Sequence, residues 1–147
     1  MNNLNQTEIL LIEDNPNDAE MAIRAFKKNK LTNNISLVND GAKALDFIFA
    51  KGEFKNRDIT KNPKIVLLDL KLPKVSGLEV LKKIKENPKT RHIPVIVLTS
   101  SNEERDKIQS YNLGVNSYIV KPVDFDKFVQ AVKNLGVYWL LLNTLPE

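Results

Sequence analysis

Five side chains that could carry out phosphoryl chemistry lie at the ends of apolar segments in this sequence. They are two adjacent acids, a third acid, a hydroxyl and an ammonium: Glu13, Asp14, Asp69, Thr99 and Lys121. Oxygen ligands without histidine or cysteine nearby favour Mg²⁺ over zinc or copper. A Mg²⁺ ion that keeps several waters can bind a phosphoryl group while a free carboxylate attacks it. The pattern therefore predicts formation of an acyl phosphate on an aspartate.

The apolar segments before these residues have the patterns of β-strands. Residues 8–12, 64–70 and 93–100 are short apolar runs, as expected for central strands covered on both faces. Residues 35–40 and 116–121 are shorter and more polar, which suits outer strands. In a parallel sheet the carboxyl ends of all strands meet at one edge, so we expect the five side chains to gather there.

Helical patterns lie between the strands. Asn15 can cap the first helix, with Pro16 at its first position and Asp18 in its first turn. Ser101 and Glu104 form a capping box for a fourth helix with few apolar residues, and low local stability is expected of an element that moves. The alternation of strand and helix predicts a doubly wound α/β domain with right-handed crossovers.

Composition excludes several classes of protein. At 147 residues, 42% hydrophobic and 27% charged, the chain fits one ordinary globular domain. The absence of cysteine excludes disulfides and thiolate metal sites, and it suits a reducing compartment. The first residues lack a secretory signal pattern, and the apolar cluster at 137–142 is far shorter than the roughly 20 residues that cross a bilayer. We therefore expect a cytoplasmic protein without a membrane partner.

The net charge of +4 comes from lysines that are spread along the chain and mixed with acids. Residues 51–64 form the densest basic segment, but they lack the interleaved aromatic residues of a groove that binds nucleic acid strands. We expect a solvated loop there and no nucleic acid partner. His92, the only histidine, is expected at the surface rather than as a ligand.

The motifs "EDN", "LLDLKLPKVSGLEVL", "VIVLTSS" and "YIVKPVD" resemble those of the response-regulator receiver domain, the family of the chemotaxis receiver. The resemblance covers almost the whole chain. It implies a single receiver domain over residues 1–147, with a core at about 7–136 and a C-terminal helix extension at 137–147. It also implies a flavodoxin-like (βα)5 sandwich, whose five-stranded parallel sheet has the order 2-1-3-4-5.

The resemblance implies a role for each residue that could hold a metal ion. Asp69 matches the phosphoacceptor and Asp14 the principal metal-binding acid, with Glu13 assisting through water. Lys71 lies where the family supplies a backbone carbonyl to the Mg²⁺ ion. Gly77 matches the glycine that opens the third helix.

A second group of residues matches the family's phosphate-sensing device. Thr99 and Lys121 match the pair that contacts the phosphoryl group, and Pro122 matches the usual Lys-Pro bond, which is often cis. Tyr118 matches the aromatic residue that turns inward when Thr99 moves toward the phosphate. Without the family, half-buried strand packing is an equally good interpretation of Tyr118.

The resemblance implies a single-domain two-component response regulator that accepts a phosphoryl group from a histidine kinase. Such a protein signals by changing the surface of its fourth helix, fifth strand and fifth helix, and it is not an enzyme in the usual sense. The tail "YWLLLNTLP", "EDNPND" and the long connection before the third strand are most similar to regulators that serve phytochrome-type histidine kinases. The alternative is a pseudo-receiver that works as a phosphorylation-independent docking module.

Other classes fit the residues less well. An aspartate-nucleophile phosphatase needs an acid two residues after Asp69, where this chain has Lys71. A nucleotide-binding domain needs a glycine-rich turn after the first strand, where the chain has "EDNPND". A DNA-binding regulator needs a recognition module for which 147 residues leave no room.

The fifth helix has more apolar residues than one core-facing stripe requires. Val129, Val132 and Leu135 are predicted to face the sheet. That face leaves four large side chains without cover: Phe128, Tyr138, Trp139 and Leu142. Exposed aromatic residues often mark an interface, so we expect the protein to form a homodimer through these four side chains.

Overall fold

Five parallel strands form one sheet in a computed structural model that describes residues 7–29, 33–100 and 117–136. The strands are β1 (Ile9–Ile12), β2 (Ile35–Val38), β3 (Ile65–Asp69), β4 (Val95–Thr99) and β5 (Tyr118–Val120). Their order is β2-β1-β3-β4-β5, and every neighbouring pair is parallel. The doubly wound fold expected from the alternating elements and the strand order implied by the family resemblance are both confirmed.

Helices connect the strands. The described residues contain α1 (Pro16–Lys28), α2 (Gly41–Phe49), α3 (Gly77–Glu86) and α4 (Phe125–Asn134). Helix α4 is the fifth helix predicted from the sequence, because the fourth predicted helix with its Ser101–Glu104 capping box lies outside the described residues. No helix in the described part of the chain is long and apolar enough to span a bilayer.

The start of α1 has the predicted cap. The Asn15 side chain accepts hydrogen bonds from the backbone N–H groups of Asn17 and Asp18, at 2.9 and 3.0 Å. Pro16 occupies the first helical position, where its missing N–H would have had no partner within the helix. The cap fixes the first turn of α1 directly after β1, and so it fixes the backbone of Asp18.

The sheet separates two hydrophobic clusters, because successive residues of a strand point to opposite faces. Leu10, Val66 and Val97 pack on the side of α2 and α3. Leu11, Leu67 and Leu98 pack on the side of α1 and α4. The central strands are therefore buried on both faces, which explains their continuous apolar sequences.

The predicted core-facing stripe of the last helix is wrong at one position. Phe128 is fully buried and its ring centroid lies 4.6 Å from that of Phe26 on α1, so Phe128 cannot form an exposed interface. The buried stripe of α4 is Phe128, Ala131 and Val132, at spacings of three and four residues, while Val129 is only half-buried. The large ring of Phe128 fills the space between α1 and α4. Tyr138, Trp139 and Leu142 lie outside the described residues.

The connection before β3 differs in part from a solvated loop. Most of residues 51–61 are exposed, but Arg57 is buried and its guanidinium lies 4.8 Å from the ring centroid of Phe47. Its nitrogens donate to the carbonyls of Phe47 at 2.6 Å, Ile48 at 2.9 Å and Lys61 at 2.9 Å. Burial lowers the pKa of Arg57. Arg57 thus donates to two of the last carbonyls of α2, where the helix offers few donors and the Phe47 carbonyl also accepts from the Ala50 N–H at 3.4 Å.

Candidate functional site

The carboxyl ends of β1, β3, β4 and β5 bring the predicted side chains to one edge of the sheet. Glu13 and Asp14 follow β1, Asp69 ends β3 and Thr99 ends β4. Lys121 follows β5, and its backbone N–H donates to the Thr99 carbonyl at 2.8 Å. The parallel register therefore collects residues that are more than a hundred positions apart in the sequence.

Three acids at this edge form a cluster that fits a divalent cation. Glu13, Asp14 and Asp69 each offer a carboxylate oxygen, and these oxygens lie within 4.8 Å of one another. Opposite ligands of an octahedral Mg²⁺ ion lie about 4 Å apart, so the cluster has the right scale and an all-oxygen donor set. Glu13 and Asp69 are buried whereas Asp14 is exposed, so the cluster opens to solvent on one side.

The ammonium of Lys121 lies among three carboxylates. Its Nζ is 2.7 Å from Glu13 Oε1, 2.9 Å from Asp69 Oδ2 and 3.2 Å from Asp18 Oδ2. An ammonium has three hydrogens to donate, so each carboxylate can receive one. Sequence reasoning assigned Asp18 only to the first turn of α1 and missed this contact. The signal was present in the Asn15 cap, which places that turn next to the end of β1.

Burial and neighbouring charges shift the pKa values of Glu13 and Lys121. Burial, together with a hydrogen bond shared with Asp69, raises the pKa of Glu13 from 4.5 to about 7, although Lys121 opposes the shift. Burial alone would lower the pKa of Lys121, but its hydrogen bonds to Glu13 and Asp69 raise that pKa above the usual range. Lys121 is therefore a permanent cation at physiological pH, whereas Glu13 can gain or lose a proton there.

Thr99 offers a hydrogen-bonding group that the described residues do not use. Its side chain is fully buried, and its Oγ1 has no hydrogen-bond partner in the described part of the chain. Leaving a buried hydroxyl unpaired costs about 1–3 kcal/mol. The orphaned hydroxyl, next to a lysine and an acid cluster, fits the binding of an anionic group with several acceptor oxygens.

The loop after β3 donates a hydrogen bond to the Asp69 side chain, and a second backbone hydrogen bond closes this loop. The Lys71 backbone N–H donates to Asp69 Oδ1 at 3.2 Å, and the Gly77 N–H donates to the Leu70 carbonyl at 2.9 Å. A Cβ on Gly77 would lie 2.3 Å from the Asp69 carbonyl oxygen and 2.5 Å from Leu70 Cα, so only glycine fits. Gly77 opens α3 as predicted, and the metal-binding role of the Lys71 carbonyl stays a prediction.

Three further residues singled out in the sequence are Pro122, Tyr118 and His92. The Lys121–Pro122 bond is cis, as expected. Tyr118 is half-buried at the start of β5 and packs against the core on the α2 and α3 side, and its role as a switch stays a prediction. His92 is exposed, as expected, with its Nε2 3.4 Å from Asn62 Nδ2.

The sequence comparisons assign the family. The model described as the response regulator receiver domain matches residues 9–133. The chain is 38% identical over 138 residues to the response regulator Rcp1 of Synechocystis sp., a match that covers 94% of this chain and 92% of Rcp1. The chain therefore belongs to the response regulator receiver family, which is a family of signalling proteins.

Similar solved structures include phytochrome response regulators. The bacteriophytochrome response regulator AtBRR is 50% identical, with a TM-score of 0.84 over 89% of this chain and 93% of AtBRR. The phosphorylated cyanobacterial phytochrome response regulator RcpA is 37% identical, with a TM-score of 0.73 over 97% of this chain and 99% of RcpA. A Mn²⁺-bound form of Rcp1 has a TM-score of 0.71 and 38% identity, over 95% of this chain and 98% of Rcp1.

Proposed function

We propose that this chain is a phosphorylation-dependent response regulator in which Asp69 accepts a phosphoryl group from a histidine kinase, in a reaction that requires Mg²⁺. The observation that carries the proposal is the 2.9 Å contact between Lys121 Nζ and Asp69 Oδ2 inside a three-acid cluster. A buried nucleophile, a cation beside it and an oxygen-only metal site are the parts that phosphoryl transfer to a carboxylate needs.

Four residues are proposed to hold the ion: Asp14 and Asp69 through carboxylates, Lys71 through its backbone carbonyl, and Glu13 through a water molecule. When bound, Mg²⁺ would offset the negative charge that the acids and the phosphoryl group bring together. The Mn²⁺-bound form of the relative Rcp1 supports a divalent ion in this fold. Asp14, the exposed member, lies where an ion in solution first meets the cluster.

In the proposed transfer, a carboxylate oxygen of Asp69 attacks phosphorus. A P–O bond forms on Asp69, the P–N bond to the histidine of the kinase breaks, and the leaving imidazole takes a proton from water. Lys121 donates a hydrogen bond to a phosphoryl oxygen, and Thr99 Oγ1, which lacks a partner among the described residues, donates another. The backbones of both donors are held at strand ends, which limits the reorganisation that the transfer needs.

The proposed output is a change of surface. Once Thr99 is drawn toward the phosphoryl group, the half-buried Tyr118 moves into the space that becomes available beside β4. The surface proposed to change contains β5, α4 and residues 101–116, which lie outside the described part of the chain. The protein then signals by binding a partner rather than by catalysis.

The kinase is proposed to be of the phytochrome type, and the similarity to the phytochrome response regulators AtBRR and RcpA supports this proposal.

We also propose a homodimer formed through Tyr138, Trp139 and Leu142, whose large apolar side chains cluster in the C-terminal sequence. Phe128, which the sequence analysis placed in this interface, is excluded from it because its side chain is buried in the core. Sedimentation of a monomer at high micromolar concentration, with beryllofluoride and Mg²⁺ present, would contradict the dimer.

The function is tested by phosphate incorporation from radiolabelled acetyl phosphate, with and without Mg²⁺. We expect Mg²⁺-dependent labelling of the wild type, none in Asp69→Asn, and normal labelling in Asp126→Asn. Asp126 is an exposed acid in the first turn of α4 and is not a member of the three-acid cluster, so its variant removes one carboxylate charge and leaves the cluster intact. If wild type and Asp69→Asn are both unlabelled, or labelled alike, the proposal is wrong.

A further inference from the structure

Lys121 has a third carboxylate partner that the metal cluster does not include. Asp18 Oδ2 lies 3.2 Å from Lys121 Nζ. Asp18 belongs to helix α1, whereas the other two partners, Glu13 and Asp69, lie at the ends of strands. Asp18 is not a member of the acid group that could hold an ion. We propose that Asp18 is a positioning residue for the phosphoryl transfer and acts through Lys121, a role that rests on the proposed function of Asp69.

The backbone that carries Asp18 is firmly held. The Asp18 N–H donates to Asn15 Oδ1 at 3.0 Å, and Pro16 restricts the turn before it. The side chain of Lys121, by contrast, is long and has many rotamers, and 20% of it is exposed. A carboxylate on a capped helix end is therefore a fixed point that can restrict the position of a flexible ammonium.

Phosphorylation changes the hydrogen-bond acceptors around Lys121. Asp69 takes the phosphoryl group and Glu13 is proposed to hold the ion, whereas Asp18 has neither role. Glu13 and Asp69 attract the ammonium from 2.7 and 2.9 Å, which would draw it over the oxygen that must attack phosphorus. Asp18 attracts it from the α1 side. With two donors directed to Glu13 and Asp18, the third can pass from Asp69 to a phosphoryl oxygen while the ammonium stays in place.

A purely structural role for Asp18 makes a different prediction. An acid in the first turn of a helix stabilises the helix through its dipole, and loss of that effect would change the free energy of unfolding alone. The Asp18 side chain is 39% exposed, so solvent screens its charge and its share of the folding energy is small. A positioning role instead appears in the rate of transfer at unchanged stability.

Glu20 offers a matched control for the charge of Asp18. It lies on the same helix, two residues further along, and its ion pair is with Arg24 at the exposed surface. Glu20→Ala thus removes the same charge from α1 without touching Lys121. Asp18→Asn removes the charge but keeps an oxygen that can accept from the ammonium, so this variant separates hydrogen bonding from net charge.

The experiment measures the rate of Asp69 phosphorylation by acetyl phosphate at saturating Mg²⁺, and the thermal unfolding of each variant. We expect Asp18→Ala to slow the reaction about fivefold, Asp18→Asn to be intermediate, and Glu20→Ala to stay within about twofold of wild type. The unfolding temperatures of the Asp18 variants should match that of Glu20→Ala.

Any other result would contradict a positioning role for Asp18. Equal rates in Asp18→Ala and wild type would show that Lys121 needs no third acceptor. Equal slowing in Glu20→Ala would show an effect of net charge. A loss of rate that follows a loss of folded protein would show a structural role. Failure of the proposed function is distinct, because in that case the wild type itself takes no label.

Discussion

Two buried carboxylates close together are costly, and the edge of this sheet contains Glu13 and Asp69 with 2% and 5% of their surfaces exposed. Lys121 offsets part of the charge in the metal-free protein. Burial and the hydrogen bond with Asp69 nevertheless raise the pKa of Glu13, because Lys121 opposes this shift only in part. A divalent cation would offset more of this charge, which is why the cluster of Glu13, Asp14 and Asp69 fits an ion.

The pKa of Glu13 predicts how the binding of Mg²⁺ depends on pH. The folded value, about 7, lies above the ordinary 4.5, so Glu13 holds a proton below neutral pH that must leave before the ion is bound. We expect the Mg²⁺ dissociation constant to rise about tenfold from pH 8 to pH 6. Calorimetric titration measures the constant, and buffers of different ionisation enthalpy reveal the released proton.

Glu13→Gln is the control for this pH dependence. Glutamine keeps the shape of the side chain but has no proton to release near neutral pH, so the variant should bind Mg²⁺ with a flatter pH profile. Identical affinities of the wild type at pH 6 and pH 8 would contradict the assignment of the titrating group to Glu13.

The loop between β3 and α3 leaves no room for a side chain at Gly77. Gly77 approaches the Asp69 and Leu70 backbone so closely that a Cβ would lie 2.3 Å from a carbonyl oxygen. We expect Gly77→Ala to destabilise the fold by about 1–3 kcal/mol, because the backbone must move to make room. Asp69 would move with it, so phosphate uptake should fall as well.

Lys82→Ala is the matched control on the same helix. Lys82 is an exposed residue of α3, so its variant should lie within about 0.5 kcal/mol of wild type in chemical denaturation. If Gly77→Ala were as stable as Lys82→Ala, the close approach of α3 to the Asp69 backbone would not exist in solution.

The connection between α2 and β3 depends on the planar guanidinium of Arg57. It donates to the carbonyls of Phe47 and Ile48 at the end of α2 and to that of Lys61 across the loop. Lysine keeps the charge but cannot reproduce this fork of donors, so Arg57→Lys should destabilise the protein by about 1–3 kcal/mol. Urea denaturation measures the change.

Lys55→Ala serves as the control for Arg57, since Lys55 is an exposed cation of the same connection. It should leave the stability unchanged within about 0.5 kcal/mol. An Arg57→Lys protein that unfolds at the same urea concentration as Lys55→Ala would contradict the structural role of the buried guanidinium.

For the whole molecule, the packing of α1 against α4 depends on Phe128. Its ring is fully buried against Phe26, so Phe128→Ala should cost about 3–5 kcal/mol in the free energy of unfolding. Denaturation at several protein concentrations distinguishes a core residue from an interface residue, because only an interface makes the loss depend on concentration. Gln130→Ala, at an exposed position of α4, should have no effect.

Much of this architecture follows from simple patterns in the sequence. Continuous apolar runs predict central parallel strands, and acids placed after such runs are unexplained until the strand ends are brought together. That reasoning located Glu13, Asp14, Asp69, Thr99 and Lys121 correctly at one edge. Their roles in phosphoryl transfer stay predictions.

Other features could not be predicted, for physical reasons. The last helix has apolar residues on several faces, so its period did not show that Phe128 rather than Val129 faces the core. The burial of Arg57 and the contact of Asp18 with Lys121 depend on how long side chains fold back over the backbone. Hydrophobic patterning reports backbone elements and contains little information about such contacts.

Chemical trapping can show whether the phosphoryl group is attached to Asp69. Borohydride reduces an aspartyl phosphate to homoserine, which mass spectrometry of peptides can locate. After incubation with acetyl phosphate we expect homoserine at position 69 alone, and only when Mg²⁺ is present. Homoserine at another acid, or none in a protein that binds Mg²⁺, would contradict the account.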